Sequence, residues 1–159
     1  MEICSFKMCA FILAGLLILI LPACWTGQGD KSHKNSLSTK LKQDALYKIV
    51  PAQNYTPETQ DDCIKLMPLD IESGFIHVSF GNQAEKILQK FFKNSKDIIL
   101  LELDPQILSQ HGLEVRKEQN KPGGDFFPHI YGVQKIPAKA ILSVIKVAEN
   151  AYGSWAEIN

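Results

Sequence analysis

The apolar positions of the chain form two kinds of pattern, an unbroken run near the start and short periodic segments after residue 45. The run Cys9–Leu21 holds 13 residues with no charged side chain, which is shorter than the ~20 residues that a membrane-spanning helix needs. This length is typical of the apolar core of an export signal. The pattern therefore separates a leader from a folded domain.

The segments after residue 45 show the period-two alternation or the short apolar runs that are typical of β-strands. Strands are predicted at Leu46–Val50, Gly74–Phe80, Asp97–Leu103, Leu113–Glu118 and Ala140–Val147. Apolar residues three and four positions apart predict a helix over Asn82–Phe92, Asp104-Pro105 begins a helical turn, and the polar stretch Thr56–Lys65 is weakly helical. Because strands outnumber helices, we predict an α+β fold with a mixed or antiparallel sheet and few helices.

These patterns divide the chain into four parts. We expect an export signal over residues 1–24, a flexible tether over 25–44, a folded domain over 45–150 and a tail over 151–159. The tether is rich in Gly, Ser, Lys, Asn and Gln and poor in apolar residues, which is the composition of a flexible linker. The tail is weakly patterned, and Trp155 is expected to dock on the domain.

The leader ends in Leu21-Pro22-Ala23-Cys24, which resembles the signal of bacterial lipoproteins, whose cysteine is lipidated. Pro22 differs from the small residue that is usual at its position. A lipid on Cys24 would anchor the domain to the membrane without spanning it. We therefore expect a lipid-anchored envelope protein on the periplasmic or extracellular face. The alternative is cleavage a few residues later, which releases a secreted soluble protein.

The charge of the domain restricts its other partners. From Ala45 on, the sequence has twelve basic and fourteen acidic residues, which is not the basic surface expected of a nucleic-acid-binding protein. Lys86, Lys90, Lys93 and Lys96 cluster on the predicted helix, at spacings that place them on its solvent-exposed face. Nucleic acid is therefore not an expected partner.

The cysteines restrict the fold and its cofactors. Only Cys63 follows the leader, which excludes an internal disulfide framework in the domain. The sequence holds no cluster of ligands at metal spacing, so we expect no metal. The expected protein is a monomer whose partners are the membrane, through its lipid anchor, and a small-molecule ligand.

Two segments place a histidine inside an apolar run, GFIHVS at Gly74–Ser79 and GGDFFPHIYG at Gly123–Gly132. A buried imidazole needs hydrogen-bond partners for both ring nitrogens, so His77 and His129 are unusual in a core that serves stability alone. They point to a shared polar pocket, in which His77 forms hydrogen bonds to a ligand or transfers protons near neutral pH. The alternative is a structural role, in which each histidine forms hydrogen bonds within the fold.

The chain from about Leu46 to Val147 resembles the bacterial domain of unknown function 952 family. The motifs that carry this resemblance are, in order, Tyr47-Lys48-Ile49, Leu69-Asp70, the GFIHVS segment, Gln83, Glu118 and the GGDFFPHIYG segment. The family is similar in fold to ADP-ribosyltransferases, and its layout is nearest to the RNA 2′-phosphotransferase branch. The resemblance therefore implies an ADP-ribosyltransferase-like fold without a settled reaction.

The same resemblance implies roles for two residues. His77 occupies a position used for dinucleotide contact, and NAD is the candidate cofactor. Glu118 is the carboxylate expected to stabilise the oxocarbenium-like ribose as nicotinamide departs, with a surface salt bridge as its alternative role. Two features depart from the pattern. Lys48 stands where those enzymes often have histidine or arginine, and Arg116 is the only arginine in the chain, so no arginine-rich phosphate-binding set is available.

Four further residues are candidate ligand contacts, namely Ser79, Gln83, Phe127 and Tyr131. Ser79 is expected to cap the following helix, whose N-terminus is a natural phosphate site, and to face the same side as His77. Gln83 either binds a ligand or completes the first helical turn. The aromatic residues either wall a cleft beside His129 that suits stacking on a nicotinamide or a base, or pack in the core.

Three functions are compatible with these residues. The first is an enzyme-like pocket of the ADP-ribosyltransferase type, in which His77, Glu118 and His129 act as positioning, proton-transfer or charge-stabilising groups. The second is a membrane-tethered, non-catalytic module that binds a small ligand or peptide, which export favours because NAD is scarce outside the cytoplasm. The third is a structural envelope domain in which both histidines only satisfy hydrogen bonds of the core.

Overall fold

The computed structural model describes residues 36–57, 63–132, 135–151 and 153–158. Within these ranges ten strands form three antiparallel sheets of five, three and two strands. The same ranges contain four α-helices of four to eleven residues. This architecture confirms the predicted α+β class with antiparallel sheets and few helices.

The strands and helices have the following bounds. The strands are β1 (Leu46–Pro51), β2 (Cys63–Ile64), β3 (Ile76–His77), β4 (Ser79–Phe80), β5 (Ile98–Leu103), β6 (Glu114–Gln119), β7 (Phe126–Tyr131), β8 (Ile136–Pro137), β9 (Ile141–Glu149) and β10 (Trp155–Glu157). The helices are α1 (Leu37–Lys40), α2 (Pro68–Ser73), α3 (Gly81–Phe91) and α4 (Pro105–Gln110).

The five-stranded sheet has the order β10-β9-β5-β1-β4, which places β5 at its centre. All six residues of β5 are buried, as its continuous apolar run predicts for a strand covered on both faces. The predictions for β1, β5, β6, β9 and helix α3 are confirmed, with ends that differ by one or two residues. The helical turn after Asp104 is confirmed as α4, whose first N–H groups bond to the Asp104 carboxylate.

Alternate residues of β1 face two separate hydrophobic clusters. Leu46 and Val50 belong to a cluster that includes residues of the three-stranded sheet β3-β7-β6, among them Ile130. Tyr47 and Ile49 belong to a second cluster on the other side of the sheet, which includes residues of α3. Lys48, between Leu46 and Val50, therefore points toward the three-stranded sheet.

The segment predicted as one strand over Gly74–Phe80 is instead a corner between two sheets. Residues 76–77 form β3, which pairs with β7, whereas residues 79–80 form β4, which pairs with β1. Val78 lies between them and is buried in the first cluster. Periodicity misses this corner because the apolar pattern stays continuous while the pairing partner changes.

Helix α2 precedes this corner and was not predicted. It ends at Gly74, whose φ of +73° is left-handed and is adopted at low cost by glycine. The weak helical prediction for Thr56–Lys65 is wrong at Cys63–Ile64, which form β2 and pair with β8. Residues 58–62 of that prediction lie outside the described residues.

The chain joins the domain earlier than the tether predicted over 25–44 suggests. Leu37 and Leu41 are buried in the second cluster, and backbone N–H groups of Gly81 and Asn82 donate to the carbonyls of Ala45 and Gln43. Residues 36–45 are thus packed against the start of α3. Sequence composition does not predict this packing, because two leucines among polar residues do not form a periodic pattern.

The tail is also part of the domain. Trp155 is fully buried in the second cluster, which confirms that it docks, and β10 extends the five-stranded sheet by pairing with β9. All residues of both clusters lie between Leu37 and Trp155.

The predicted export signal over residues 1–24, with Cys24, lies outside the described residues. Among the residues that the structure does describe, no helix has the length and apolar character needed to cross a bilayer.

Candidate functional site

The outer surface of the three-stranded sheet carries both histidines of the sequence motifs. His77 on β3 pairs with His129 on β7, which in turn pairs with Arg116 on β6. Neighbouring residues in these strands, such as Ile130, point into the first hydrophobic cluster, so this row points away from it. We call the surface formed by His77, Glu114, Arg116, Glu118, Phe127, His129 and Tyr131 the histidine face.

The His77 ring is held by a buried carboxylate. Nδ1 of His77 lies 3.1 Å from Oδ1 of Asp70, and the backbone N–H of His77 donates to the same oxygen at 2.9 Å. Nζ of Lys48 donates to Oδ2 of Asp70 at 2.6 Å and to the carbonyl oxygen of His77 at 3.0 Å. Lys48 and Asp70 are each 2% exposed, so the ion pair beneath His77 is sealed from water.

The electrostatics of this ion pair place a hydrogen on Nδ1 of His77. Burial raises the pKa of the Asp70 carboxyl, but hydrogen bonds from His77 and the charge of Lys48 outweigh it and hold that pKa well below its ordinary range. Burial lowers the pKa of Lys48, and Asp70 opposes that shift. Because an ionised carboxylate only accepts hydrogen bonds, Nδ1 of His77 carries a hydrogen, and Nε2 is the ring nitrogen that this interaction does not use.

The His129 ring is held by a second carboxylate. Nδ1 of His129 lies 2.9 Å from Oε2 of Glu118, and the Tyr131 hydroxyl donates to the same oxygen at 2.8 Å. These two hydrogen bonds lower the pKa of Glu118, and the bond to Glu118 raises the pKa of the Tyr131 hydroxyl. By the same reasoning Nδ1 of His129 carries a hydrogen, and Nε2 is the ring nitrogen that the contact with Glu118 does not use.

Phe75 joins the two histidines into one aromatic group. Its ring centroid lies 4.2 Å from that of His129, 4.7 Å from that of His77 and 5.4 Å from that of Tyr131. The two imidazole centroids are 5.7 Å apart, with the rings at 70°. The structure thus brings together His77, His129, Glu118 and Tyr131, as the sequence motifs predict.

Arg116 extends the aromatic group beside Tyr131. Its guanidinium lies 4.4 Å from the centroid of the Tyr131 ring and bonds to Glu114 at 2.6 Å. Phe127 is paired with Glu118 in the β6–β7 ladder, on the same side of β7 as His129 and Tyr131.

The histidine face is an open surface, which differs from the predicted pocket. The side chains of His77 and Glu118 are 36% and 40% exposed, whereas that of His129 is 13% exposed. The structure also has a cavity of about 710 Å³, but residues such as Tyr55, Cys63 and Ile141 line it, and none of the histidine-face residues do. A ligand of the histidine face would therefore rest on the rings rather than enter an enclosed space.

Ser79 is the predicted site residue that the structure separates from this group. It lies on β4, in a different sheet from His77, and its buried Oγ has no hydrogen-bond partner in the described part of the chain. The N-cap of α3 is Phe80, so the predicted capping by Ser79 is wrong. At this helix start the N–H groups of Gly81 and Asn82 donate to the carbonyls of Ala45 and Gln43, so these two groups are not available to a phosphate.

Gln83 has a structural role, which is one of the two alternatives predicted from the sequence. Its Oε1 accepts a hydrogen bond from the backbone N–H of Phe80, which completes the first turn of α3. Its Nε2 donates to the backbone carbonyl of Phe126 at 2.6 Å and so joins α3 to β7. Both ends of this amide are therefore bonded within the fold.

Sequence reasoning did not assign a site role to Asp70, Lys48 or Phe75. All three lie in the motifs that carry the family resemblance, and that was the signal available for them.

Regarding metals, no three His, Cys, Asp or Glu side chains of the described ranges are grouped as a metal site would require.

Comparison with known proteins supports the family and the fold. A family model described as "Protein of unknown function (DUF952)" matches residues 49–144. The crystal structure of protein CC0527 from Caulobacter crescentus is similar, with 23% identity, a TM-score of 0.59 and coverage of 70% of this chain and 92% of that one. The solution NMR structure of CC0527 gives 24% identity and a TM-score of 0.57, over 69% of this chain and 90% of that one. No curated protein is significantly similar in sequence.

Proposed function

Since this chain belongs to the DUF952 family of proteins of unknown function, its activity has to be inferred from its own site, and we propose that the histidine face binds a small nucleotide-like ligand on which His77 and His129 act as proton-transfer groups. The observation that carries this proposal is that each imidazole is oriented through Nδ1 by a carboxylate, at 3.1 Å and 2.9 Å. This arrangement leaves two Nε2 atoms on one surface for a ligand.

The aromatic group supports a planar ligand. Phe75, His77, His129 and Tyr131 have ring centroids within 6 Å of at least one neighbour, and such rings stack on the π-faces of bases or of nicotinamide. The carboxylates of Glu114 and Glu118 outnumber the one guanidinium of the histidine face, that of Arg116, whereas the buried charges of Lys48 and Asp70 balance each other. This charge favours a neutral or positive ring at the surface, such as the nicotinamide of NAD.

Glu118 has the properties of a charge-stabilising group in such a reaction. Hydrogen bonds from His129 and Tyr131 lower its pKa, so it is an anion at neutral pH. In an ADP-ribosyltransferase-like site, which the sequence resemblance implies, this anion stabilises positive charge as it develops on the ribose. Export of the protein favours a second function, non-catalytic binding of a small ligand at the same surface.

We expect nucleotide-like ligands to raise the melting temperature of the chain from Trp25 onward, which retains both hydrophobic clusters. At a ligand concentration about 100-fold above Kd, binding adds about 2.7 kcal/mol to the free energy of unfolding. His77→Ala and His129→Ala should remove the shift, whereas His111→Ala, at the end of α4, should keep it. The screen covers NAD, mononucleotides and 2′-phosphorylated RNA. Absence of any shift, or equal loss in all three variants, would refute the proposed site.

The catalytic part of the proposal is separated from binding by a turnover assay with the same ligands. Release of nicotinamide or of phosphate should fall by about 10²–10⁴-fold in His77→Gln and His129→Gln if these groups transfer protons. Binding without turnover in the unmodified chain supports the non-catalytic function instead.

We further propose that the chain is anchored to the cell envelope by a lipid on Cys24. The support is the position of this cysteine, where the apolar run of the leader stops.

Mass spectrometry of the Cys24-containing peptide should show a cleaved and acylated N-terminus, and Cys24→Ser should move the protein out of the membrane fraction. A chain that is unmodified and uncleaved at Cys24 contradicts the proposal, as does membrane association of a cleaved Cys24→Ser chain that survives a wash with about 1 M salt.

A further inference from the structure

Helix α3 carries a basic surface that the histidine face does not use. Lys86, Lys90 and Lys93 are exposed along the helix and just beyond it, and Lys96 is exposed in the loop that follows. Phe91 is 67% exposed among them, with Nζ of Lys90 lying 4.9 Å from its ring centroid. We call these four lysines and Phe91 the lysine face.

The charge of the lysine face differs from that of the rest of the domain. Residues 81–96 contain four lysines and one glutamate, although the sequence from Ala45 on has more acidic than basic residues. Asp97 follows the last lysine. Three other carboxylates border the face. Asp125 forms an ion pair with Lys86, whereas Glu85 and Glu149 keep their charge and accept hydrogen bonds from the Ser36 hydroxyl and the backbone N–H of Asn94.

The chain reaches the domain beside this helix. The Ser36 hydroxyl donates to Glu85 of α3 at 3.0 Å, and α1 begins at the next residue. Twelve peptide units separate Cys24 from Ser36, which allows a reach of at most about 40 Å. A chain anchored to a membrane at Cys24 therefore keeps Ser36, and α3 beside it, within about 40 Å of that membrane.

We propose that the lysine face lies against the surface of an anionic bilayer. An exposed aromatic ring flanked by lysines is the composition of interfacial helices, in which the ring enters the headgroup region and the ammonium groups face anionic lipids. The chain preceding Ser36 is slightly basic as well, with two lysines and one aspartate over residues 25–35. The proposal concerns a different surface from the histidine face and does not depend on it.

The proposal is tested by sedimentation of the chain from Trp25 onward with vesicles of phosphatidylcholine containing about one-third phosphatidylglycerol. Each lysine near the surface contributes about fivefold to the partition coefficient, so Lys90→Gln/Lys93→Gln/Lys96→Gln should lower it about a hundredfold. The matched control Lys65→Gln/Lys135→Gln/Lys139→Gln removes the same charge from exposed positions elsewhere, and it should bind like the unmodified chain.

Two further readings complete the test. Phe91→Ala should weaken binding to the anionic vesicles, and raising the salt concentration from about 0.1 M to about 1 M should abolish most of it. The proposal is overturned if the chain does not bind the vesicles, if both triple variants lose binding equally, or if pure phosphatidylcholine vesicles bind it as well as anionic ones.

Discussion

Replacement of Asp70 by alanine is expected to lower the free energy of unfolding by about 3–5 kcal/mol. The substitution leaves the ammonium group of Lys48 buried without its counter-ion, since Lys48 is 2% exposed. It also removes the acceptor of the backbone N–H groups of Met67 and His77. Urea denaturation followed by circular dichroism measures the loss as a shift of the midpoint at unchanged m-value.

A double variant distinguishes the buried charge from a general packing defect. Lys48→Met/Asp70→Leu replaces the ion pair by apolar side chains and should recover most of the stability, because a matched apolar pair is often no less stable than a buried ion pair. A loss below about 1 kcal/mol in the single variant would contradict the account, as would a double variant that is no more stable than Asp70→Ala.

The same carboxylate makes stability depend on pH in a defined direction. The pKa of Asp70 is lowered in the folded state, so its contribution is fully present above the ordinary carboxyl pKa of about 4 and is lost as the pH falls toward the folded value. Asp70→Asn should remove this part of the acid dependence. In this variant Nδ1 of His77 faces an uncharged amide instead of an anion.

The second large effect is expected at the tail. Trp155→Ala should lower the free energy of unfolding by about 3–5 kcal/mol, because the Trp155 side chain is fully buried in the second hydrophobic cluster. The control is Ile158→Ala in the same segment. Ile158 is 40% exposed, so its truncation should change stability by less than about 0.5 kcal/mol.

Trp155→Phe adds a check on the buried indole. Nε1 of Trp155 has no hydrogen-bond partner among the described residues, so phenylalanine loses volume but no hydrogen bond and should be less destabilising than alanine. Equal midpoints for Trp155→Ala and Ile158→Ala in urea would show that the tail is not part of the cooperative unit.

Much of the fold could be predicted because its signals are local. The continuous apolar run of β5 and the one-sided helix α3 each show their burial within a few residues of sequence. The corner at Val78 could not be predicted in this way, because β3 and β4 differ only in the distant strands with which they pair. The packing of residues 36–45 and strand β10 of the tail were missed for the same reason, since they depend on contacts with α3 and β9 rather than on periodicity, although the docking of Trp155 was predicted.

The candidate site was predictable in part. A histidine in an apolar run indicates an unusual environment. From this signal His77 and His129 were correctly predicted to lie near each other. The carboxylate partner of His77 was not identified, because Asp70 precedes it by seven residues and lies on a helix that the pattern does not show. The prediction that Ser79 faces the same side as His77 assumed one regular strand, in which residues two positions apart share a face. The strand instead ends between these two residues, at Val78.

Segments near the two ends of the described chain contact each other. Nζ of Lys40, in α1, lies 3.0 Å from Oε2 of Glu157, in β10. A fluorophore or fusion partner attached after β10 is consequently carried on the same side of the domain as the incoming N-terminal chain. Labels attached at the two ends would therefore lie on one side of the domain and report on the same surroundings.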